Sequence, residues 1–248
     1  MGLSGKAAIV TGGASGFGAG IVRRFILEGA RVVIADINGD AAREMADELG
    51  DAALGLQVDV SSADDVETMV KSTLRSLGGI DILVNNAGVG HKPEPMETLS
   101  EEMFDRIFDV NIKAIYRTAQ QVVPIMKENG AGAILNIAST GGVSPRPNLT
   151  WYNASKGWVI TATRSMAVEL AASGVRVNAL NPVAGETPML KTFMGEDTPE
   201  IRAKFLASIP IGRFSTPEDM GAAACFLCSD DASMITGVAL EVDGGRCI

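Results

Sequence analysis

Short apolar runs rich in β-branched residues alternate with longer amphipathic stretches along almost the whole chain. The apolar runs predict seven strands, at Ala7–Thr11, Arg31–Ala35, Leu54–Val58, Asp81–Val84, Ala133–Ala138, Val175–Leu180 and Ala239–Val242. Apolar residues three and four apart predict helices at Gly16–Glu28, Ala41–Leu49, Ala63–Leu77, Ser100–Met126, Trp151–Ala172 and Pro217–Leu227. This alternation is typical of βα units, so we expect one α/β domain, residues 1–248, built on a doubly wound seven-stranded parallel sheet.

The alternation fails between Val183 and Phe214, where no strand is predicted. Two short amphipathic pieces, Pro188–Met194 and Pro199–Ala207, lie there between turn signals. A long insertion after a strand is often an active-site lid, so we expect a small helical lid near residues 188–210. Its apolar side chains have two equally favoured roles, lining a substrate pocket or packing on the body or a partner subunit: Met189, Leu190, Phe193, Met194, Phe205 and Leu206.

Composition narrows the class of partner. The chain has 248 residues, 46% of them hydrophobic, and a net charge of −9 with no basic stripe. This charge argues against nucleic acid and anionic membranes as partners, and favours small polar or neutral ligands. No run approaches ~20 apolar residues and no leader pattern is present, so we expect a soluble, cytoplasmic protein.

The cysteines do not form a disulfide or metal pattern. The chain has three, an odd number. Cys225 and Cys228 form a C-x-x-C motif, but it lies in an Ala-rich helical run, with no second pair and a single histidine in the chain. We therefore expect a buried structural role rather than a redox or zinc role, and no metal site.

A glycine-rich turn, Thr11–Gly18, follows the first predicted strand and opens a helix. Such glycines allow close approach to a ligand, and a helix N-terminus favours a pyrophosphate. Asp36 ends the second strand, where a carboxylate can bind both hydroxyls of an adenosine ribose and repel a 2′-phosphate. Since no Arg or Lys lies in the turn or just after Asp36, the pattern favours NAD over NADP. Asp59 is the next candidate, on the adenine side.

Tyr152 and Lys156 are the strongest candidates for chemistry. They are four residues apart, so they share one face of a helix, and Ser139 lies upstream. A neighbouring ammonium lowers the pKa of a phenol, which makes Tyr152 a candidate acid/base near neutral pH. Taken alone, the pair is also common on solvated helix faces. The rest of the chain favours the catalytic interpretation.

Four motifs together resemble the short-chain dehydrogenase/reductase family over essentially the whole chain. They are T-G-x-x-x-G-x-G from Thr11, N-N-A-G from Asn85, a serine thirteen residues before a tyrosine, and Y-x-x-x-K. The resemblance implies a Rossmann fold and an enzyme that moves a hydride between NAD and a CH–OH group.

The resemblance also implies roles for particular residues. Tyr152 would be the acid/base, and Lys156 would hold the nicotinamide ribose and lower the pKa of Tyr152. Ser139 would orient the substrate oxygen, and Asn111 would hold a water that links Lys156 to solvent. The implied cofactor-binding residues are Gly12, Ser15, Gly16, Phe17, Gly18, Asp36, Ile37, Asp59, Val60, Asn86, Ala87, Gly88, Tyr152, Lys156, Pro182, Val183, Gly185 and Thr187.

One segment departs from the family pattern. After the sixth strand the family usually shows Pro-Gly, an apolar residue and Thr, whereas Val183 stands here in the usual place of the glycine and Gly185 in that of the apolar residue. Thr187 is retained, so contact with the carboxamide or phosphate is still expected. The sequence therefore does not predict the path of the backbone here. The same holds for the geometry of the lid and of the wall expected to contact the nicotinamide.

Substrate contacts are expected from the loop before Tyr152 and from the lid. The candidates are Ser139, Arg146, Asn148, Trp151, Tyr152 and Met189. Arg146 stands between two prolines, which leaves an exposed position as the alternative. His91, the only histidine, is expected to be solvated in its loop, with substrate contact as the alternative.

The leading hypothesis is an NAD-dependent dehydrogenase or reductase of a small secondary alcohol or ketone, from a sugar or a hydroxyacid. One alternative is a 3-oxoacyl thioester reductase, although that branch commonly carries an Arg in the turn, where this chain has Ser15. Another is an NAD-binding regulatory module without turnover. The long helices and the apolar C-terminus resemble those of family oligomers, so we expect a homo-oligomer, a homotetramer rather than a dimer.

Overall fold

All strands lie in one parallel sheet. A computed structural model describes residues 2–248 and gives the strand order β3-β2-β1-β4-β5-β6-β7. The strands are β1 (Ala7–Thr11), β2 (Arg31–Asp36), β3 (Ala53–Gln57), β4 (Ile82–Asn85), β5 (Gly132–Ile137), β6 (Val175–Pro182) and β7 (Ala239–Val242). The doubly wound seven-stranded sheet predicted from the sequence is confirmed.

Helices connect the strands. They are α1 (Gly16–Leu27), α2 (Gly39–Leu49), α3 (Ala63–Leu77), α4 (Glu101–Phe108), α5 (Ala114–Asn129), α6 (Thr150–Leu170), α7 (Pro188–Met194), α8 (Pro199–Leu206) and α9 (Pro217–Cys228). The helix predicted at Ser100–Met126 is interrupted, because a π-helical turn at Asp109–Lys113 joins α4 to α5. None of the helices in residues 2–248 has the length and apolar character needed to cross a bilayer.

The side chains of β1 show how the core is divided. Ala8 and Val10 pack in one apolar cluster with Phe25 of α1, while Ile9 packs in another with Met69 of α3. This alternation follows from the two-residue period of a strand that is covered on both faces. The helices therefore bury both faces of the sheet.

The strand order reverses between β1 and β4, which are direct neighbours. Connections that leave these two strands run in opposite directions, so a crevice opens at their carboxyl ends. The glycine turn follows β1, and the N-N-A-G motif begins in the last residue of β4. The topology thus brings both motifs to one edge of the sheet.

Helices α7 and α8 form the segment predicted as a lid, and residues 188–210 are called the lid segment below. It has its own small apolar cluster, in which Leu190 and Met194 pack against Val183, Ile209 and Phe214. The segment is therefore anchored to the end of β6 by apolar contacts.

Candidate active site

A cavity of about 900 Å³ lies at the carboxyl ends of the strands, between the sheet, α6 and the lid segment. It collects side chains from the glycine turn, from the loops after β2 to β6 and from the lid segment. All but four of the site residues predicted from the sequence line it. The four that do not are Gly18, Asn111, Asn148 and Trp151.

The glycine turn forms one wall of the cavity. Gly12 and Gly16 have positive φ angles of 60° and 52°, which are strained for other residues. Gly18 lies behind this wall, where a Cβ atom would come 2.0 Å from the Gly12 carbonyl oxygen. Gly18 does not line the cavity, and its lack of a side chain allows α1 to pack against the turn. Its contribution to cofactor binding stays a prediction.

Asp36 is held at the end of β2 by backbone donors. Its carboxylate accepts hydrogen bonds from the amides of Ala14 and Asn38, both at 3.0 Å. Each carboxylate oxygen still has a lone pair to offer, and Asp36 lines the cavity beside Ile37. A glycine cradle next to a fixed carboxylate fits the pyrophosphate and ribose of a dinucleotide.

The segment after β6 has a definite path despite its departure from the family pattern. Gly185 pairs with Ser215 in an isolated parallel bridge, and a Cβ atom there would lie 2.3 Å from the ring of Phe17. Thr187 lies against the turn, its Cβ atom 3.2 Å from the position that a Cβ on Gly16 would take. The displaced glycine is thus required where Phe17 packs, and Thr187 still reaches the cradle.

Ser139, Tyr152 and Lys156 meet at the floor of the cavity. Tyr152 and Lys156 are buried on α6, and the ammonium lies 5.9 Å from the centroid of the phenol ring. Lys156 donates a hydrogen bond to the carbonyl oxygen of Ile137 at 2.9 Å. Ser139 makes a hydrogen bond to the Tyr152 side chain that favours the phenolate. The three groups predicted to carry the chemistry are therefore brought together.

The pKa of Tyr152 differs from the prediction. Burial raises this pKa to about 12, and the hydrogen bond from Ser139 offsets only part of the increase. Burial also lowers the pKa of Lys156 to about 8. The pKa of Tyr152 is therefore raised and not lowered as expected beside the Lys156 ammonium, because the loss of solvent outweighs the stabilisation of phenolate.

Asn111 lies in the π-helical turn and is buried. Its side-chain amide donates hydrogen bonds to the Val89 carbonyl oxygen at 2.9 Å and to Ser155 Oγ at 3.1 Å, and its oxygen accepts one from the Val89 amide at 2.8 Å. Asn111 therefore fastens the loop after β4 to α6 instead of reaching the cavity with its side chain.

Of the predicted substrate contacts in the loop before Tyr152, only some line the cavity. Arg146 lines the cavity and is half-buried, which excludes the exposed alternative. Trp151 points elsewhere, donating a hydrogen bond to the Met96 carbonyl oxygen and packing edge-on against Phe104. Asn148 is exposed at a positive φ of 62°. Neither Asn148 nor Trp151 lines the cavity, so their contact with a substrate stays a prediction.

The apolar side chains of the lid segment serve both roles that the sequence left open, lining the cavity and packing on the body of the protein. Met189, Leu190, Phe193 and Phe205 line the cavity. Leu190 and Phe205 also belong to the apolar cluster of the segment, together with Met194 and Leu206. Cavity-lining residues that the sequence did not suggest include Leu149, Asn153, Glu102, Asp105, Arg106 and Asp109. The α4 side chains had no signal beyond an ordinary amphipathic helix.

His91 is buried, so the prediction of a solvated loop histidine is wrong. It is 4% exposed, and its Nδ1 lies 2.8 Å from the Lys92 carbonyl oxygen. It does not line the cavity either, so the alternative of substrate contact is not supported.

The cysteines are free thiols. Cys225 and Cys228 are buried on α9. Within residues 2–248, no three His, Cys, Asp or Glu side chains are grouped as metal ligands would be.

Comparisons with known proteins give full-length matches. A family model described as enoyl-(acyl carrier protein) reductase matches residues 12–246. The chain is 51% identical to 4-formylbenzenesulfonate dehydrogenase of Comamonas testosteroni, covering 100% of both proteins. It is 38% identical to 2-dehydro-3-deoxy-L-rhamnonate dehydrogenase (NAD(+)) of a Sphingomonas species, covering 98% of this chain and 96% of that protein.

A solved structure is equally close. The crystal structure of 3-ketoacyl-(acyl-carrier-protein) reductase from Brucella melitensis complexed with NADH superposes with a TM-score of 0.95 at 53% identity. The match covers 99% of this chain and 100% of the other.

Proposed function

Because the chain belongs to the short-chain dehydrogenase/reductase family, we propose that it is an NAD(H)-dependent oxidoreductase that interconverts an alcohol and a carbonyl compound. The observation that carries the proposal is the meeting of Ser139, Tyr152 and Lys156 beside a glycine cradle and Asp36, in one cavity. NADH in the Brucella structure and NAD(+) in the name of the Sphingomonas relative support the choice of cofactor.

Tyr152 is proposed to hold or release the proton of the substrate oxygen. With a pKa raised to about 12, its phenol is protonated at neutral pH and is ready to donate to a carbonyl oxygen. Alcohol oxidation requires the phenolate, which the hydrogen bond from Ser139 favours. When bound, NAD(H) supplies the hydride acceptor or donor. Gly12, Gly16 and Asp36 would hold its adenosine and pyrophosphate end.

Lys156 is proposed to orient the nicotinamide ribose. The Ile137 carbonyl oxygen fixes its ammonium, which leaves two N–H bonds for other acceptors. Asn111 acts as a positioning residue, because its side chain ties α6 to the loop after β4. Desolvation of the site by the lid segment would strengthen each of these electrostatic interactions.

The proposed function is tested by following nicotinamide absorbance with the purified protein and a panel of polyols, hydroxyacids, cyclic secondary alcohols and benzylic alcohols. We expect turnover with NAD and at least about tenfold lower kcat/KM with NADP, since the Asp36 carboxylate repels a 2′-phosphate. A preference for NADP would contradict the assignment of Asp36. Tight NADH binding without turnover of any alcohol would favour the regulatory module instead.

A 3-oxoacyl thioester reductase is the second candidate, because the Brucella structure carries that description. The absence of an Arg in the glycine turn, where Ser15 stands, does not exclude it, since that structure is complexed with NADH. Acetoacetyl thioesters of coenzyme A and pantetheine, offered with NADH, distinguish the candidates. Thioester reduction faster than the turnover of every alcohol in the panel would favour the second.

We also propose that the chain forms a homo-oligomer, a tetramer rather than a dimer. Four large apolar side chains of α4 and α6 are at least 40% exposed: Phe104, Phe108, Trp158 and Val168. Apolar groups clustered on neighbouring helices mark interaction surfaces. Light scattering coupled to gel filtration should give four times the chain mass, and a monomer at micromolar concentration would overturn the proposal.

A further inference from the structure

The substrate end of the cavity combines an arginine without a carboxylate partner and two aromatic rings. From this combination we infer that the substrate is a compact aromatic alcohol or carbonyl compound with an anionic oxygen group, a sulfonate or a carboxylate. Arg146 is inferred to bind that group. The inference rests on the proposed function, because it concerns the same cavity.

Arg146 carries a charge that the protein does not neutralise. Within residues 2–248, none of the ion pairs with N···O distances up to 4.0 Å includes Arg146. Among the described residues, the only side-chain acceptor of its guanidinium is a neutral hydroxyl, Ser208 Oγ at 3.1 Å. A half-buried guanidinium is costly without an anion, so its environment is complete only when a negative ligand is present.

A second unneutralised arginine increases the positive potential. Arg246 donates to Ser144 Oγ at 3.0 Å, and its buried Nε has no hydrogen-bond partner within residues 2–248. It also lacks an ion pair within the same residues. Burial first, and the charge of Arg246 second, lower the pKa of Arg146. Two cations that are held near each other without a carboxylate are the arrangement expected for an anion site.

Aromatic rings define the shape of this end of the cavity. The guanidinium of Arg146 lies 4.3 Å from the ring centroid of Phe205, and the ring of Phe193 lies 4.8 Å from that of Tyr152. Both phenylalanines belong to the lid segment and line the cavity, as does Leu149. Aromatic side chains pack well against a planar ring. An aryl group would therefore fill the space between the acid/base and the arginine.

The arginine is fixed relative to the acid/base. Asn153, the residue after Tyr152, donates a hydrogen bond from its side chain to the Arg146 carbonyl oxygen at 2.8 Å. The acidic side chains that line the same cavity lie on α4, in the π turn, at the end of β2 and in the loop after β3: Glu102, Asp105, Asp109, Asp36 and Asp59. None of them forms an ion pair with Arg146. The other cationic side chains that line the cavity are Arg106 on α4 and Lys156 on α6.

A structural role is the competing explanation for Arg146. Its contacts with Phe205 and Ser208 could serve only to hold the lid segment closed. That role predicts that removal of the charge harms every substrate equally. An anion-binding role predicts that the damage depends on the charge of the substrate.

The experiment compares kcat/KM, with NAD, for 4-(hydroxymethyl)benzenesulfonate, 4-(hydroxymethyl)benzoate and the neutral 4-methylbenzyl alcohol. We expect the wild type to prefer at least one anionic alcohol by 10- to 100-fold, the range for hydrogen bonds to a charged group. Arg146→Gln should remove that preference and change the neutral alcohol by less than about threefold. Whether the sulfonate or the carboxylate is preferred identifies the anion.

The matched control is Arg202→Gln. Arg202 lies on the lid segment and, like Arg146, near an aromatic ring, but Asp197 and Glu186 neutralise it. Its removal should leave the ratio of anionic to neutral kcat/KM unchanged. Equal kcat/KM for all three alcohols in the wild type, or an equal loss for all three in Arg146→Gln, would overturn the inference while leaving the proposed function in place.

A binding measurement separates the two proposals if no alcohol is turned over. Calorimetric titration with 4-methylbenzenesulfonate and 4-methylbenzoate, with and without NADH, does not require catalysis. Binding that weakens at least tenfold in Arg146→Gln but not in Arg202→Gln supports the anion site. No binding of either anion to the wild type overturns it, whatever the outcome of the turnover assays.

Discussion

Tyr152→Phe is expected to lower turnover by about 10²- to 10⁴-fold, the usual contribution of a positioned acid/base, while NADH affinity stays within about twofold. The substitution removes only the hydroxyl oxygen, and the ring keeps its packing against Phe193. The loss should appear in kcat as well as in kcat/KM, because the proton transfer occurs in the transition state. Stopped-flow single turnovers give the chemical step, and NADH fluorescence gives the affinity.

The chain provides its own control for this substitution. It contains two tyrosines, and the second, Tyr116, is 55% exposed on α5. Tyr116→Phe should leave turnover unchanged. If Tyr152→Phe retained more than about a tenth of the wild-type rate of the chemical step, the assignment of Tyr152 as acid/base would be wrong.

Lys156→Met is expected to lower kcat/KM by about 10²-fold or more and, at the same time, to stabilise the protein at pH 7. The residue Lys156 is 5% exposed, and burial lowers the pKa of its ammonium from 10.5 to about 8. The folded protein therefore carries an unfavourable buried charge at pH 7, which a methionine of similar length lacks. We expect about 1–2 kcal/mol of added unfolding free energy, after allowing for the orphaned carbonyl of Ile137.

The stability difference between Lys156→Met and the wild type should depend on pH, in a direction that can be measured. Between pH 8 and 10.5 the unfolded state binds the lysine proton more tightly than the folded state, so wild-type stability gains relative to the variant as pH rises. The difference in unfolding free energy that favours Lys156→Met should have its full value below pH 8 and should decrease towards pH 10. Urea unfolding of both proteins at pH 7 and pH 9.5 measures it. A variant less stable than the wild type at pH 7 would contradict the explanation.

The features that the sequence predicts well are local ones. The strand β1 has the predicted bounds because a short apolar run between turn signals is sufficient to define it. The placement of Asp36 and of the glycine turn also follows from local sequence, since each directly succeeds a strand of a parallel sheet. The joint role of Ser139 and Tyr152 at one site was predicted from the family resemblance, because packing and not local sequence brings these two residues together.

The sequence predicted less well those features that depend on three-dimensional packing. His91 is followed by Lys92 and nearby Glu94, which suggests solvent, yet the loop folds over the histidine and buries it. Trp151 is adjacent to Tyr152, but its indole N–H donates to the Met96 carbonyl oxygen and its side chain does not line the cavity. The pKa of Tyr152 depends on how completely water is excluded, which an i,i+4 spacing does not reveal.

The π-helical turn at Asp109–Lys113 joins α4 to α5, and the number of residues in it determines how the faces of these two helices are oriented relative to each other. Each residue rotates an α-helix by about 100°, so the wider turn changes the phase of α5 relative to α4. Before it, α4 faces the cavity with Asp105. After it, α5 buries Thr118 and Val122 under the sheet. A one-residue deletion here would turn the polar face of one of these helices inward, so this stretch should tolerate substitutions far better than length changes.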